Sequence, residues 1–192
     1  TNSSNTKASI AILNASSVSK FLNVVISNLS SLDRSYWHLP AAITFYESNV
    51  DMQNVIFESN RTGDDFVNFF RCGNFSLNNV KFHNVNADAV DSDFSKGQIT
   101  NCEFLTVGND AIDGSGSLIV IEDSSFDSVE DKVISAGEHS TMSIYNSTIS
   151  NSEIAFVSKD DSKITEGNNT LLKNRLNYCL FNKKKEFDDG AL

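Results

Sequence analysis

The chain has 192 residues with 15 Lys and Arg against 25 Asp and Glu, which gives a formal net charge of −10. A surface this acidic argues against binding to nucleic-acid phosphates or to an anionic membrane, and no apolar run approaches the ~18 residues of a membrane-inserted helix. About a quarter of the chain is Asn or Ser, yet 40% is hydrophobic and 14 residues are Phe, too apolar a composition for a disordered tract. Many tight turns around a packed interior are typical of a repetitive β architecture.

Residues 1–20 carry no copy of the repeat that follows them. Thr1–Ala8 is polar and resembles a linker, and Ser9–Lys20 could be an incomplete coil or an N-terminal cap. Because there is no signal peptide and no initiator Met, we expect a piece of a longer protein whose other domains are among its partners.

From Phe21 onward a six-residue unit recurs: an apolar residue, Asn or Asp two positions later, and a second apolar residue three positions after that. The polar position has spacings of 31, 25, 22, 22, 23 and 23 residues and falls at Asn23, Asn54, Asn79, Asn101, Asp123, Asn146 and Asn169. A second apolar unit follows each copy by about ten residues, from Ala42–Ile43 to Cys179–Leu180. The two units keep the same separation over seven copies, which indicates a solenoid.

A period of 22–23 residues with short apolar segments predicts an all-β fold, a right-handed parallel β-helix of about seven coils over residues 21–182. We expect the Asn positions to stack as an inward-pointing ladder at one turn. Phe82, Phe104 and Phe126 should stack inside the core. A leucine-rich repeat shares the period, but its LxxLxL pattern is missing, and an antiparallel sandwich would not hold a fixed phase.

The two long spacings place insertions near Leu29–Pro40 and Arg61–Asp65, at the same corner of successive coils, so both should lie on one face. Tyr36 and Trp37 lie in the longer insertion and are candidate ligand-binding residues, because exposed aromatic rings can stack on sugar rings. The alternative, which we favour, is a cap that folds over the first coil and buries Trp37.

Acidic residues form the second candidate site. Asp88 and Asp91 recur 22 residues later as Asp110 and Asp113, so stacked coils would bring each pair close together. Such pairs either raise the pKa of one carboxyl or bind a cation such as calcium, and Lys132 in the next coil could partly neutralise them. The alternative, which we favour, is that these residues only form hydrogen bonds to the backbone at turns. A straight strand would point Asp88 and Asp91 to opposite faces, so they could not both reach one groove. We assign no catalytic residue and no metal ligand, and expect no cofactor, with calcium left open.

The repeat over roughly Phe21–Leu180 resembles the pectin-lyase-like superfamily of right-handed β-helices. Gly108–Ser117, Asp131–Ser140 and Ile154–Lys163 are similar to β-helix regions of large secreted bacterial proteins that also carry a CotH-like kinase domain. The resemblance implies the fold and an extracellular or cell-surface setting. Asn86–Asp88 and Gly108–Asp110 are also similar to two motifs of polygalacturonase-type glycosidases, whose GHG and RxK motifs this chain lacks, so no catalytic residue is transferred.

These observations favour a non-catalytic extracellular module that binds extended polysaccharide or acts as a rigid spacer. The alternative is a polysaccharide lyase, epimerase or glycoside hydrolase that uses the acidic stack. Self-assembly through exposed strand edges is a third possibility. Residues 183–192 form a charged tail, in which Lys183, Lys184 and Lys185 are expected to blunt such an edge.

Overall fold

The structure is a computed structural model that describes residues 8–34 and 36–192, and every regular element in those ranges is a β-strand. Twenty-two of the strands, numbered in chain order, form three parallel sheets. No helix in the described ranges is long and apolar enough to span a membrane.

The chain passes through the three sheets in the same order on each turn. Sheet I has eight strands: β1 (Ile10–Leu13), β6 (Ala41–Tyr46), β9 (Asp65–Phe70), β12 (Asp88–Asp93), β15 (Ile112–Ser115), β18 (Lys132–Gly137), β21 (Ile154–Lys159) and β24 (Leu176–Phe181). Sheet II has seven: β2 (Ser19–Leu22), β7 (Val50–Gln53), β10 (Phe75–Asn78), β13 (Lys96–Thr100), β16 (Leu118–Glu122), β19 (Thr141–Tyr145) and β22 (Lys163–Gly167). Sheet III has seven: β3 (Val25–Ser27), β8 (Ile56–Glu58), β11 (Lys81–Val85), β14 (Glu103–Val107), β17 (Ser125–Val129), β20 (Thr148–Ser150) and β23 (Thr170–Leu172).

This topology confirms the predicted parallel β-solenoid. Each strand pairs in parallel with the equivalent strand of the next turn, for example β11 with β14 through Phe82 and Phe104. The right-handed sense of the coil and the number of complete coils stay predictions.

The core contains the predicted aromatic stack. Phe57, Phe82, Phe104 and Phe126 are fully buried, and successive ring centroids lie 4.8, 4.9 and 4.7 Å apart. Because this distance matches the spacing of paired strands, each ring packs on its equivalent in the next turn. A continuous column of apolar contact therefore holds sheet III in register.

The Asn ladder exists, but two details of the prediction are wrong. Its side chains are exposed rather than inward, and its last member is Asn168 instead of Asn169. Each ladder residue turns the corner between sheets II and III with a positive φ, 55° at Asn23 and 54° at Asn54, a conformation that Asn tolerates well. The side chain then points away from the core, where the Asn54 amide donates to Asn23 Oδ1 at 2.8 Å.

A second ladder, of buried serines, lies at the corner between sheets I and II and was not predicted. The backbone N–H of Ser95 donates to Ser117 Oγ, Ser117 N–H to Ser140 Oγ and Ser140 N–H to Ser162 Oγ, each at 3.0 Å. Cys72 takes the place of a serine one turn earlier, and its N–H donates to Ser95 Oγ at 2.8 Å. These bonds pair backbone donors that the corner removes from the sheets.

Both insertions lie at the corner between sheets III and I, as predicted. Residues 29–31 pair with residues 61–62, where Arg61 N–H donates to the Leu29 carbonyl at 2.7 Å. Gly63, with a φ of 123°, lies against Pro40, whose carbonyl oxygen would be 2.7 Å from any Cβ. The two insertions therefore support each other.

The longer insertion forms a hairpin of two antiparallel strands, β4 (Leu32–Arg34) and β5 (Trp37–Leu39). The expectation that it caps the first coil and buries Trp37 is wrong. Trp37 is 53% exposed, Tyr36 is fully exposed, and the apolar side chains of the first turn, such as Val25, stay in contact with solvent. The hairpin instead extends over the outer face of sheet I.

The ends of the solenoid differ from its middle. Strand β1 already pairs with β6, so regular structure begins at Ile10, within the segment treated as a linker, cap or incomplete coil. In the C-terminal tail, Ala191 forms a parallel bridge with Lys163 of β22, and the backbone N–H groups of Lys183 and Lys184 donate to Asp160 Oδ1. The tail thus covers part of the last edge of sheet II.

Candidate functional site

The outer face of sheet I carries two adjacent cavities. A column of paired outward residues runs across both, in the order Thr44, Asn68, Asp91, Asp113 and Ser135. Asp91 lines the first cavity and its neighbour Asp113 lines the second. The two candidate sites that the sequence analysis kept apart, the aromatic insertion and the acidic stack, therefore lie on the same face.

The second cavity, which we name the Asp88 pocket, has a volume of about 520 Å³. Its lining combines carboxylates with lysines: Asp64, Asp88, Asp110, Asp113, Asp131, Lys132, Lys159 and Lys183, together with Asn109 and Phe181. Carboxylate oxygens of Asp88, Asp110 and Asp113 all lie within 4.8 Å of one another. The close approach of Asp88 and Asp110 in successive turns was predicted. Asp113, which the sequence paired with Asp91, also lies close to Asp88.

Lysines neutralise part of this charge. Lys132 Nζ lies 2.9 Å from Asp110 Oδ1 and also contacts Asp131, as the sequence suggested. Lys159 Nζ lies 3.6 Å from Asp113 Oδ1 and 2.9 Å from Ser135 Oγ. Three oxygen ligands suit a hard cation such as calcium, but the ammonium groups already compete for two of them.

Burial controls the acidity of this group. Desolvation, followed by repulsion from Asp110, raises the pKa of Asp88 to about 7. Desolvation and the Asp113 charge likewise raise the pKa of Asp110, and Lys132 opposes them. At neutral pH the Asp88 carboxyl is therefore divided between its protonated and ionised forms, which is the condition required of a general acid or base.

The same carboxylates also pair the backbone of the next turn. Asp88 Oδ1 accepts a hydrogen bond from Asp110 N–H at 2.8 Å, and Asp110 Oδ1 accepts one from Lys132 N–H at 3.0 Å. The hydrogen bonds to the backbone that were favoured from the sequence are thus present. They use one oxygen of each carboxylate.

The first cavity, which we name the Trp37 pocket, has a volume of about 480 Å³. The hairpin forms one wall through Trp37, Leu39 and Pro40. Tyr46 and Phe70, stacked with centroids 5.5 Å apart, add further aromatic surface. Leu13, Asn14, Thr44, Asn68, Asp91 and Asp93 complete the lining.

Two carboxyl groups lie side by side in the Trp37 pocket. The Asn68 amide donates to Asp91 Oδ2 at 2.6 Å and to Asp93 Oδ2 at 3.1 Å. Desolvation, and then the charges of Asp65 and Asp93, raise the pKa of Asp91 to about 9. Asp93 also has a raised pKa because it is buried, although hydrogen bonds from Asn68 and Asp91 oppose the increase. Asp91 therefore holds a proton at neutral pH beside the Asp93 carboxyl group.

Of the predicted ligand-binding residues, Asp88, Asp110, Asp113 and Lys132 meet in the Asp88 pocket, whereas Asp91 and Trp37 line the Trp37 pocket. Tyr36 is fully exposed at the hairpin tip and lines neither cavity. Asp93, Asn68, Thr44 and Lys159 also line the cavities and were not predicted as site residues. Column spacing could have found Asn68, because it precedes the predicted Asp91 by one turn in the same column.

Fold and cavities together define a parallel β-solenoid with an acidic groove on one sheet and an aromatic wall at one end of the groove. No family model matches the chain, no curated protein matches it and no solved structure matches it. Any account of its function must therefore rest on the residues themselves.

Proposed function

We propose that this domain binds an extended polysaccharide along the outer face of sheet I, as a non-catalytic module of a secreted or cell-surface protein. The observation that carries the proposal is the half-exposed Trp37, which the hairpin places in the wall of the same cavity as the Asp91 and Asp93 carboxyls. An aromatic face beside hydrogen-bonding groups matches a sugar ring, which has apolar C–H faces and a polar rim.

The length of the groove supports a polymer over a small molecule. The Trp37 and Asp88 pockets are neighbours on one sheet, and the residues between them are paired rungs such as Asp91 and Asp113. A chain of sugars lying across the strands would contact the aromatic wall at one end and the lysines at the other.

Affinity electrophoresis through gels that contain single polysaccharides, whether neutral, acidic or cationic, tests the proposal. We expect retardation in at least one gel, and Trp37→Ala should weaken it about tenfold, the effect of losing about 1.4 kcal/mol. Leu118→Ala is the matched control, because Leu118 is an apolar side chain of similar exposure, 46%, on sheet II. Equal retardation of the two variants, or no retardation in any gel, would contradict the proposal.

A second candidate function is catalysis on the bound polysaccharide, as a polysaccharide lyase, an epimerase or a glycoside hydrolase. The specific observation is the Asp88 carboxyl, whose pKa is raised to about 7 within 4.8 Å of the Asp110 and Asp113 oxygens. New reducing ends and the absorbance of unsaturated products should be followed with and without calcium. Turnover that Asp88→Asn abolishes, with Asp51→Asn as the control on sheet II, would replace the non-catalytic proposal.

We also infer that the chain belongs to the pectin-lyase-like superfamily. Each turn contributes one strand to each of three parallel sheets, and the Asn at one corner has a positive φ. Both features support this inference. An experimental structure with a right-handed coil is the expected result, and a left-handed coil would overturn it.

A further inference from the structure

The Trp37 pocket contains a buried polar group that protein contacts do not satisfy. Thr44 Oγ1 lies at the start of the outward column, and its residue is only 5% exposed. This oxygen has no hydrogen-bond partner in the described part of the chain, although Thr44 lines the cavity. A buried hydroxyl without a partner is costly, so a ligand group that reaches it would gain a hydrogen bond at little expense.

The charged groups in the pocket lining are acidic, and the lysines nearby, Lys159 and Lys184, are paired with Asp113 and Glu138. Asp91 and Asp93 lie in it, and Asp65 of β9, Asp113 of β15 and Glu138 after β18 act on them from neighbouring elements. None of the described side chains that line the pocket is a cation. Arg71 packs over the Phe70 ring and pairs with Glu47.

We propose that the Trp37 pocket is the subsite for a protonated amino sugar, so that the polysaccharide recognised by this domain carries free amines. The proposal rests on the proposed function and names its substrate class. An ammonium group has three donors, which match Asp91, Asp93 and the Thr44 hydroxyl, while Trp37 and Tyr46 offer faces that attract both cations and sugar rings. A uronic acid would place a carboxylate against these carboxyls and be repelled.

Binding of the amine has a proton balance that can be measured. In the free protein the Asp91 carboxyl, whose pKa is raised to about 9, holds a proton. When a protonated amine enters, it forms ion pairs with both carboxylates, and that proton passes to the buffer. The net charge of −10 on the chain would also attract a cationic polymer from a distance, an effect that salt screens.

The experiment compares β-linked glucosamine oligomers, their N-acetylated counterparts and galacturonate oligomers of equal length by titration calorimetry at about pH 5.5. We expect the amine oligomer to bind at least about tenfold more tightly than the acetylated one, with release of about one proton, seen as a dependence of the enthalpy on the buffer. Asp93→Asn and Thr44→Val should remove this preference. Asp51→Asn, which makes the same change of charge on sheet II, should keep it.

The outcomes separate this inference from the proposed function. Equal binding of amine and acetylated oligomers, or tightest binding of the uronate, would overturn the amino-sugar subsite. If that binding still depended on Trp37, the proposed function would stand. Absence of binding by every oligomer and polymer would overturn both.

Discussion

The environment of Asp65 is unfavourable for an ionised side chain. It is 4% exposed, it pairs with Asp88 in the next strand of sheet I, and its Oδ2 has no hydrogen-bond partner among the residues described. Desolvation, and then repulsion from Asp88 and Asp64, raise its pKa to about 8. At neutral pH this side chain is therefore mostly a neutral carboxylic acid.

This shift predicts that the protein becomes less stable as the pH rises. A pKa above the unfolded value of 3.8 means that the folded state binds the proton more tightly, so the stabilisation is complete at low pH and is lost as the pH passes through about 8. Between the unfolded value of 3.8 and about pH 8, each pH unit lowers the free energy of unfolding by up to about 1.4 kcal/mol. The melting temperature should therefore fall by at least several degrees between about pH 5 and pH 9.

The variant Asp65→Asn isolates this contribution. Because the amide has the shape of the protonated acid and cannot ionise, we expect it to raise the melting temperature at about pH 9 and to reduce the pH dependence. Asp51→Asn on sheet II serves as the control. A pH profile identical to that of the wild type would show that Asp65 does not carry the effect.

Several site residues could be predicted from the sequence and others could not. Asp88, Asp91, Asp110 and Asp113 recur at the solenoid period, so stacking alone brings them together. Thr44 has no distinctive neighbours in the sequence, and it matters because it lines a cavity together with residues of the hairpin. Its role follows from a tertiary contact, which a periodic pattern does not contain.

At the scale of the element, each corner between sheets II and III depends on a residue that accepts a positive φ. Asn101 has a φ of 55°, and a residue with an ordinary Cβ loses about 1–2 kcal/mol in this conformation. We expect Asn101→Ala to destabilise the protein by about 1 kcal/mol more than Asn101→Gly, as measured by urea unfolding. Equal losses would mean that the amide, and not the backbone conformation, is what the corner needs.

The corner between sheets I and II depends instead on its buried serine ladder. Ser117 Oγ accepts from Ser95 N–H at 3.0 Å and donates to the Ser92 carbonyl at 2.7 Å. Ser117→Ala leaves both backbone groups buried without this partner and should cost about 1–3 kcal/mol.

Cys72→Ser restores the serine of the ladder and is the matched control for Ser117→Ala. We expect it to change the free energy of unfolding by less than about 1 kcal/mol. A small loss for Ser117→Ala, comparable to that of Cys72→Ser, would contradict the importance given to the ladder.

The hairpin shows where pattern analysis of an element stops. Its position at one corner followed from the 31-residue spacing, and the structure confirms it. Its direction did not follow, because Leu32 and Trp37 carry no signal that distinguishes packing over the first turn from packing over sheet I. Gly63 lies against Pro40 at the base of the hairpin, and a tertiary contact of this kind is not contained in a periodic pattern.

At the scale of the whole molecule, the solenoid makes a groove because every turn adds one rung to each sheet. Residues at one position of the repeat therefore form a column, and a change of residue type along the column changes the chemistry along the groove. On sheet I the last position of the strand changes from Tyr46 and Phe70 to Asp93 and, three turns later, to Lys159. The aromatic wall, the acidic centre and the lysine end of the groove are consequences of this order.

The most direct test uses the fluorescence of Trp37, because the chain has a single Trp and it lies in the wall of the groove. Titration with the polysaccharide that is retained most strongly should change its emission and reach saturation at the concentrations at which the complex forms. Binding that leaves the Trp37 emission unchanged would place the polysaccharide elsewhere on the molecule and contradict the account.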